Sequence, residues 1–420
     1  MKKTILYFKY IVILAVFLSG CKAYHPDNIK DSSSNIKTDF NEEAPLTLKL
    51  LFYYEGQERV TLINKICNDF NFKEKSVIIP QFVPYQDLKK KLLTDFAKGE
   101  KPDIVIFDKS DYAYLADLGI LQDITVSIKM WPDFNKFFNS SIKACEYNSK
   151  IYGLPVGENC LELFYNKQLL GKHNLNPPET WEELKESAKN LTSQNVKGMA
   201  ISAQNNEQGM FQFLPWLYSS GATMEKLDST EAIKAFKFLS LLIEDGSMSK
   251  EVINWSQADI MNQFAKGEVA MMINGPWQIT ELKLKAPNLQ YGVVHIPKDK
   301  KSVTVLGGEN IGIVNDENKD EALEFIKYFC SVEIVKTFSK SIGYFPSRKD
   351  VPVGEVLTGP DVKVFSEDVH IAVSRGLDPK WPEKSRIVIE ALYKVLLNTQ
   401  SPESAAKEAQ NNIETILGKK

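Results

Sequence analysis

The chain has 420 residues, of which 43% are hydrophobic and 25% are charged, a composition typical of globular proteins and a length that favours two lobes over one. Its net charge is −3 and it carries no basic stripe, which argues against a function in nucleic-acid binding. It contains no phosphate-binding Gly-Lys-Ser/Thr motif, so we expect no ATP hydrolysis by this chain.

The cysteines and histidines show no spacing typical of a metal or redox site. Cys21 belongs to the N-terminal signal described next, which leaves Cys67, Cys145, Cys160 and Cys330. Either Cys145 and Cys160 pair across a hairpin in an oxidising compartment, or the four are isolated buried thiols. The four histidines are scattered along the chain, at positions 25, 173, 295 and 370. We therefore expect neither a metal site nor a cofactor.

The N-terminal segment has the pattern of an export signal. Three lysines flank the start of an apolar run from Tyr10 to Phe17, which is too short for a permanent membrane span. The run leads into Leu-Ser-Gly-Cys, ending at Cys21, which resembles the bacterial lipobox, whose cysteine receives a diacylglycerol. We expect residues 1–20 to be a lipoprotein signal peptide and residues 21–44, poor in large apolar groups, to be a flexible tether from a lipidated Cys21. The alternative is an ordinary secretory signal.

Beyond the tether, strand-like runs alternate with amphipathic helices, which predicts an α/β fold with βαβ units and mainly parallel sheets. The predicted strands are Leu46–Tyr54, Ser76–Phe82, Asp103–Phe107, Glu162–Asn166, Met199–Ser202, Val269–Ile273, Tyr291–Ile296 and Ile311–Val314. The predicted helices are Arg59–Asn71, Tyr85–Lys98, Tyr112–Leu118, a helix opened by a capping box at Thr180 and running to Leu191, Ser229–Glu244, and a last helix starting at Ser401-Pro402.

The segment from Phe264 to Trp277 is the most informative part of the sequence. A helix is predicted to end at Gly267, a strand follows, and Asn-Gly-Pro at positions 274–276 turns the chain. The turn places Trp277 at the end of a strand, where α/β sheets bind their ligands, and a flat indole there can stack on the C–H face of a sugar. The alternative is a tryptophan of the core.

This segment and several others resemble the family 1 extracellular solute-binding proteins of ABC importers, and in particular the maltodextrin-binding branch. The other matching motifs, in chain order, are Pro102–Phe107 with Leu118–Thr125, Tyr152–Pro155 with Phe164–Leu169, Pro177–Glu183, Gly307–Gly312 and Gly343–Arg348. The resemblance implies a two-lobed, periplasmic-binding-protein-like fold of type II, with mainly parallel sheets flanked by helices, hinge crossovers and a ligand cleft between the lobes.

The resemblance also implies that each lobe is discontinuous. Lobe one would hold residues 45–155 and 309–357, and lobe two would hold residues 156–308 and 358–420. The hinge strands would be Pro155–Gly157 and the glycine pair Gly307-Gly308, because glycine absorbs large dihedral changes and lets a ligand approach the backbone. The alternative for the glycine pair is a plain turn.

A sugar pocket needs aromatic faces for C–H patches and carboxylate or amide groups for hydroxyls. Strand ends and crossings supply the predicted polar and backbone ligands, which are Tyr54, Glu55, Phe107, Asp108, Ser110, Glu158, Asn159, Gly308, Glu309 and Asn310. The predicted aromatic ligands are Phe211, Trp216, Trp255, Trp277, Tyr344 and Trp381. For the polar residues the alternative is a solvated loop position, and for Trp216 and Trp255 it is core packing. Trp131 and Trp181 are predicted to be structural.

Two departures from the maltodextrin-binding pattern make maltodextrin itself a doubtful ligand. Ser110-Asp111 stands where those proteins have an Asp-Arg pair, and Ser385 stands at the position of their late stacking tryptophan. Trp381 can approach the same place from another direction. A different mono- or oligosaccharide is the expected ligand.

The function implied is an extracytoplasmic, lipid-anchored, monomeric solute-binding protein. It would capture a sugar in the cleft, close around it and deliver it to a membrane permease driven by a separate ATPase, without being an enzyme itself. One alternative keeps the importer role for a polyamine, metal chelate or phosphate ester such as a glycerophosphate. The other alternative is an exported glycosidase that uses Glu158 and Glu309 as paired carboxylates.

Overall fold

The computed structural model describes residues 45–71 and 76–418. The predicted signal peptide, the lipidated Cys21 and the tether lie outside the described residues, and they stay predictions.

Eleven strands are present in the described part of the chain. They are Thr47–Phe52 (β1), Val77–Phe82 (β2), Ile104–Asp108 (β3), Glu146–Tyr147 (β4), Lys150–Ile151 (β5), Leu154–Pro155 (β6), Glu162–Asn166 (β7), Lys197–Ala200 (β8), Val269–Asn274 (β9), Tyr291–Val294 (β10) and Glu309–Ile313 (β11).

The α-helices alternate with these strands. They are Gln57–Asn71 (α1), Tyr85–Lys98 (α2), Tyr112–Asp117 (α3), Thr125–Lys129 (α4), Asn139–Lys143 (α5), Lys167–Lys172 (α6), Trp181–Leu191 (α7), Glu207–Ser219 (α8), Thr230–Glu244 (α9), Gln257–Ala265 (α10), Trp277–Lys285 (α11), Lys319–Phe329 (α12), Val332–Ile342 (α13), Val353–Val356 (α14), Pro360–Asp368 (α15), Trp381–Leu396 (α16) and Pro402–Ile416 (α17).

The strands form two larger sheets. The first sheet has the order β2-β1-β3-β11-β6, and the second has the order β10-β7-β9-β8. The first sheet therefore takes strands from both sides of the segment that builds the second, which is the pattern on which the predicted lobes depend. The lobe boundaries themselves stay a prediction.

The expectation of mainly parallel sheets is wrong, because both sheets are mixed. Strand β11 runs antiparallel to β3 and β6, and β7 runs antiparallel to β9 and β10. Strands β1, β2 and β3 are parallel to one another, as are β8 and β9. Strand β11 is reversed because the chain re-enters the first sheet at the end of β3, where Glu309 pairs with Asp108.

Local sequence signals explain several element ends. Helix α2 stops at Gly99, whose φ of 79° is left-handed, and its N–H bonds back to the last turn. Helix α7 begins at the predicted cap, where the Thr180 hydroxyl accepts the Glu183 N–H. The Glu183 carboxylate does not close the capping box on Thr180 and instead accepts the N–H of Glu179.

The cysteines of the described region are free and buried, so Cys145 and Cys160 are not paired. The Cys145 thiol contacts the carbonyl of Ser141, and the Cys160 thiol contacts the carbonyl of Phe365. Burial raises the pKa of both thiols, which keeps them protonated.

Candidate ligand-binding site

A cavity of about 150 Å³ lies where the strand ends of the first sheet meet residues from α8, α10 and α11. Its walls come from ten separate stretches of the chain, and most of them follow or begin a strand or helix. The lining residues are Tyr53, Tyr54, Glu55, Arg59, Tyr85, Asp108, Asn159, Glu207, Gln208, Phe211, Ser256, Gln257, Ala258, Trp277, Gln278, Gly308, Glu309, Tyr344 and Arg375. The edge of the first sheet at which β3 ends is therefore the floor of the cavity, the usual place for a ligand in an α/β sheet.

Glu309 is held on this floor by three tyrosine hydroxyls. Tyr53 and Tyr344 donate to Oε1 at 2.6 and 3.0 Å, and Tyr54 donates to Oε2 at 3.2 Å. Burial raises the pKa of Glu309 to about 7, and the nearby charge of Asp108 adds to the rise, while the tyrosine hydrogen bonds oppose it. Glu309 thus changes charge near neutral pH inside the cavity.

Arg375 joins two carboxylates across the cavity. Its Nη2 lies 3.0 Å from Oδ2 of Asp108, and its Nη1 lies 2.6 Å from Oε1 of Glu207. The guanidinium also lies over the ring of Phe211, 4.5 Å from the ring centre. The Arg375 side chain is 3% exposed, so these three partners hold a buried cation.

The two carboxylates respond differently to the same guanidinium. Burial alone would raise the pKa of Asp108, but the charge of Arg375 and the hydrogen bonds from Arg375 and Ser110 leave it below its usual value. The pKa of Glu207 is raised, because burial and the charge of Asp108 outweigh the attraction to Arg375. Asp108 is therefore the more firmly ionised of the pair.

Glu207 also fixes the start of helix α16. Its Oε1 accepts a hydrogen bond from Nε1 of Trp381 at 3.1 Å, and its Oε2 accepts one from the Ser385 hydroxyl. Ser385 stands at the position where maltodextrin-binding proteins have a stacking tryptophan. Here its hydroxyl instead helps to position the Glu207 carboxylate in the cavity.

Trp277 forms an aromatic wall with Tyr344. The two rings meet edge to face, with centroids 6.2 Å apart. Trp277 is the first residue of α11, and its carbonyl accepts a hydrogen bond from Arg59 at 3.1 Å. A Cβ atom added to Gly275 would lie 1.8 Å from the indole ring, so a glycine at this position allows the ring its place.

Asn159 and the glycine pair form another side of the cavity. The backbones of Asn159 and Gly307 exchange two hydrogen bonds, and Gly308 has a left-handed φ of 114°. A Cβ atom on Gly308 would lie 2.3 Å from the carbonyl of Gly157, so the two predicted crossings touch here through backbone. Oδ1 of Asn159 is buried and has no hydrogen-bond partner among the described residues, which leaves it available to a hydroxyl donor.

Nine of the sequence-predicted ligands line the cavity. They are Tyr54, Glu55, Asp108, Asn159, Phe211, Trp277, Gly308, Glu309 and Tyr344. The structure brings these residues together from both predicted lobes.

Four predicted polar or backbone ligands do not line the cavity. Ser110 lies beneath the backbone of Gly376, where an added Cβ would come within 2.1 Å of its Cα. Glu158 turns away to an ion pair with Lys109 at 3.1 Å and a hydrogen bond from Ser141. The remaining two are Phe107, in a separate hydrophobic cluster, and Asn310, whose amide donates to the carbonyl of Ala144.

Three predicted tryptophans also lie away from the cavity. Trp216 is fully buried against Trp181 and Phe238, the core alternative noted above. Trp255 packs on the outside of the main hydrophobic core. Trp381 is buried in the main hydrophobic core and donates a hydrogen bond to Glu207.

The residues missed by sequence analysis include both arginines of the cavity. Tyr53, Arg59, Tyr85, Glu207 and Arg375 line it together with a polar stretch at the start of α10. Arg375 stands between α15 and α16 in a segment without regular structure, so no strand end marks it. Among the missed residues, Tyr53 had a signal in the sequence, because it directly precedes the predicted ligand Tyr54. Strand β1 ends at Phe52, and beyond a strand end successive side chains need not point to opposite faces, so both tyrosines can face the cavity.

A mixed two-sheet α/β architecture with a lined cavity at the strand ends defines a binding protein of the type II periplasmic class, as the sequence predicted. The chain belongs to the family of bacterial extracellular solute-binding proteins, whose pattern matches residues 65–371. The expected solute-binding function and extracytoplasmic location are thereby confirmed. No helix in the described ranges is long and apolar enough to cross a membrane.

Three similar proteins illustrate the family. A putative binding protein of Brucella abortus is 26% identical over 354 residues, 81% of this chain and 85% of its own. The maltotriose-binding protein of Pyrococcus abyssi is 27% identical over 290 residues, 66% of this chain and 60% of its own. A solute-binding protein of an ABC transporter from Thermotoga lettingae, solved with α-D-tagatose, is 27% identical with a TM-score of 0.82, covering 89% of this chain and all of that one.

Proposed function

We propose that this protein captures a neutral mono- or oligosaccharide in the cavity bounded by Trp277 and Glu309 and delivers it to the permease of an ABC importer. The similarity to the tagatose-bound and maltotriose-binding relatives supports the sugar as ligand class.

The observation that carries the proposal is the pairing of aromatic and acidic groups around one small cavity. Trp277 and Tyr344 offer apolar faces to the C–H patches of a sugar ring. Asp108 and the free amide oxygen of Asn159 offer acceptors to its hydroxyls.

Delivery requires that ligand binding favour a closed form. A ligand shifts a conformational equilibrium only through contacts that differ between the two states. Residues from both predicted lobes line the cavity, with Glu55 and Asp108 from one and Trp277 and Phe211 from the other. A sugar touching both sets would stabilise closure, and the closed form would dock on the permease.

We further propose that the protein acts as a monomer and that Cys21 anchors it to the membrane by lipid through the tether of residues 22–44. Replacing Cys21 with alanine should abolish incorporation of radiolabelled palmitate in the producing cell. Labelling that survives the Cys21→Ala change would contradict this part of the proposal.

We do not propose catalysis. The glycosidase alternative needs Glu158 and Glu309 on either side of one bond. Glu158 faces Lys109 and Ser141 outside the cavity, whereas Glu309 faces the cavity within its ring of tyrosines. A sugar recovered intact after incubation with the protein is the expected result.

The proposal is tested by thermal unfolding in the presence of candidate ligands. A ligand that binds only the folded state raises Tm. Monosaccharides, disaccharides and maltodextrins are compared with spermidine, a metal chelate and glycerol 3-phosphate, with the Trp277→Ala variant as control. We expect a rise in Tm with a neutral sugar that is lost in the variant. A rise only with spermidine, the chelate or glycerol phosphate would overturn the sugar assignment.

A further inference from the structure

A second cluster of potential ligand atoms lies outside the cavity, at the edge of the second sheet. It consists of Glu162 at the start of β7, His295 just after β10, and Asp368 at the end of α15. One ligand atom from each of the three residues lies within 4.8 Å of the other two. The fold thus brings together a histidine and two acids that the sequence, with its scattered histidines, did not connect.

Glu162 is the least expected member of the cluster. Its side chain is fully buried, and Oε2 accepts the backbone N–H of Ile296 at 3.0 Å. Oε1 is also buried, yet no group in the described residues donates a hydrogen bond to it. A buried carboxylate oxygen next to a second carboxylate, that of Asp368, needs a proton or a cation between them.

His295 and its neighbours favour a metal cation. Nδ1 of His295 lies 3.0 Å from Oδ2 of Asp368, a separation that two ligand atoms of one metal ion can have. A carboxylate oxygen of Glu367 lies 3.6 Å from the other ring nitrogen, Nε2. Without a metal, the 3.0 Å contact is a hydrogen bond that places the ring proton on Nδ1. A metal ion bound to Nδ1 would displace this proton, and the ring proton would then sit on Nε2, on the side of Glu367.

We propose that Glu162, His295 and Asp368 bind a divalent transition-metal ion of the zinc class. One imidazole nitrogen and two carboxylate oxygens suit zinc better than magnesium or calcium, which prefer oxygen ligands alone. His295 is half exposed, which gives an ion access from solvent and leaves room for water as a further ligand. The ion would fasten the end of α15 to the second sheet.

The test is zinc binding by the purified protein after treatment with EDTA. Equilibrium dialysis against micromolar zinc, with metal analysis by mass spectrometry, should find one zinc ion per chain more in the wild type than in the His295→Ala and Asp368→Asn variants. Zinc should also raise Tm of the wild type by about 3 °C and leave Tm of the two variants unchanged.

Two controls keep the test specific. The first control is folding: both substituted side chains reach the surface, so far-ultraviolet circular dichroism should show folded variants. The second control is His173→Ala, which removes an exposed histidine outside the cluster and should bind zinc like the wild type. Equal zinc content in the wild type and in His295→Ala would overturn the proposal. So would a Tm that depends on pH but not on zinc, because the two carboxylates would then share a proton. Sugar binding is measured separately and has no part in this result.

Discussion

Arg375 Nη2 lies 3.0 Å from Oδ2 of Asp108, although 267 residues separate the two in the chain. Asp108 ends the third strand of the first sheet, and Arg375 stands just before the helix that contacts α8. The same guanidinium reaches Glu207 on α8. One buried cation thus links a strand end of the first sheet to a helix beside the second, at the wall of the ligand cavity.

Replacing Arg375 with alanine should strongly destabilise the protein. The change leaves the Asp108 carboxylate buried without its cation, which costs about 3 kcal/mol in the free energy of unfolding. Arg375→Lys should recover only part of the lost stability, because an ammonium group lacks the planar pair of nitrogens that reaches Asp108 and Glu207 at the same time. Urea unfolding measures both effects. Arg386→Ala, which removes an exposed arginine paired with Glu390, is the control and should cost about 0.5 kcal/mol. Equal losses at positions 375 and 386 would contradict the linking role.

Trp277→Ala should weaken sugar binding by about 2 kcal/mol, or roughly thirtyfold in Kd, because the stacking face is lost. Trp255→Ala is the matched control, since Trp255 was a candidate from sequence but lies outside the cavity. Isothermal titration calorimetry of both variants with the same sugar separates the two positions. An unchanged Kd for Trp277→Ala would remove this tryptophan from the binding site.

Gly275→Ala should mimic the loss of Trp277 without touching it. The added methyl group would lie 1.8 Å from the indole, so the ring must move out of place, and we expect at least a tenfold loss of affinity, or about 1.4 kcal/mol. Gly171→Ala on α6 adds a methyl group into open space and should leave affinity unchanged. Tryptophan fluorescence and calorimetry report the displacement and its effect. Wild-type affinity in Gly275→Ala would show that the ring position does not matter.

Glu309 should make stability depend on pH near neutrality. Its pKa is raised from 4.5 to about 7, so between these values the folded state keeps a proton that the unfolded chain has lost. Stability from this group is therefore present at low pH and falls as pH rises, by about 2 kcal/mol between pH 5 and pH 7.5. The free energy of unfolding of the wild type, measured relative to Glu309→Gln, should fall by that amount over this range. A constant difference would mean that Glu309 titrates normally.

The sequence predicted individual elements better than their arrangement. Strand Glu162–Asn166 and helix Tyr85–Lys98 have the bounds expected from their apolar patterns. The strand expected at Ile311–Val314 begins two residues earlier, at Glu309. A pattern of apolar residues could not include the acid Glu309. Its carboxylate is buried because hydroxyl groups of tyrosines distant in the sequence donate hydrogen bonds to it. The antiparallel direction of that strand depends on where the chain re-enters the sheet, which no local pattern encodes.

The residues of the candidate site also fall into those that local sequence features predict and those that depend on contacts between distant segments. Asp108 and Trp277 were predicted because strand ends and a sharp turn mark them in the sequence. Arg375 and Glu207 were missed because their importance comes from an ion pair between remote segments. Glu158 was expected in the cavity from its place at a crossing, but Lys109, itself buried, draws it to the opposite side.

The central claim is tested most directly by calorimetric titration of the wild-type protein with the neutral sugar that gives the largest rise in Tm. We expect saturable binding with one site per chain, a Kd in the micromolar range, equivalent to about −8 kcal/mol, and a negative heat-capacity change from burial of apolar surface. Absence of saturable heat with any neutral sugar, together with saturation by spermidine or glycerol 3-phosphate, would contradict the assignment of this cavity to a sugar.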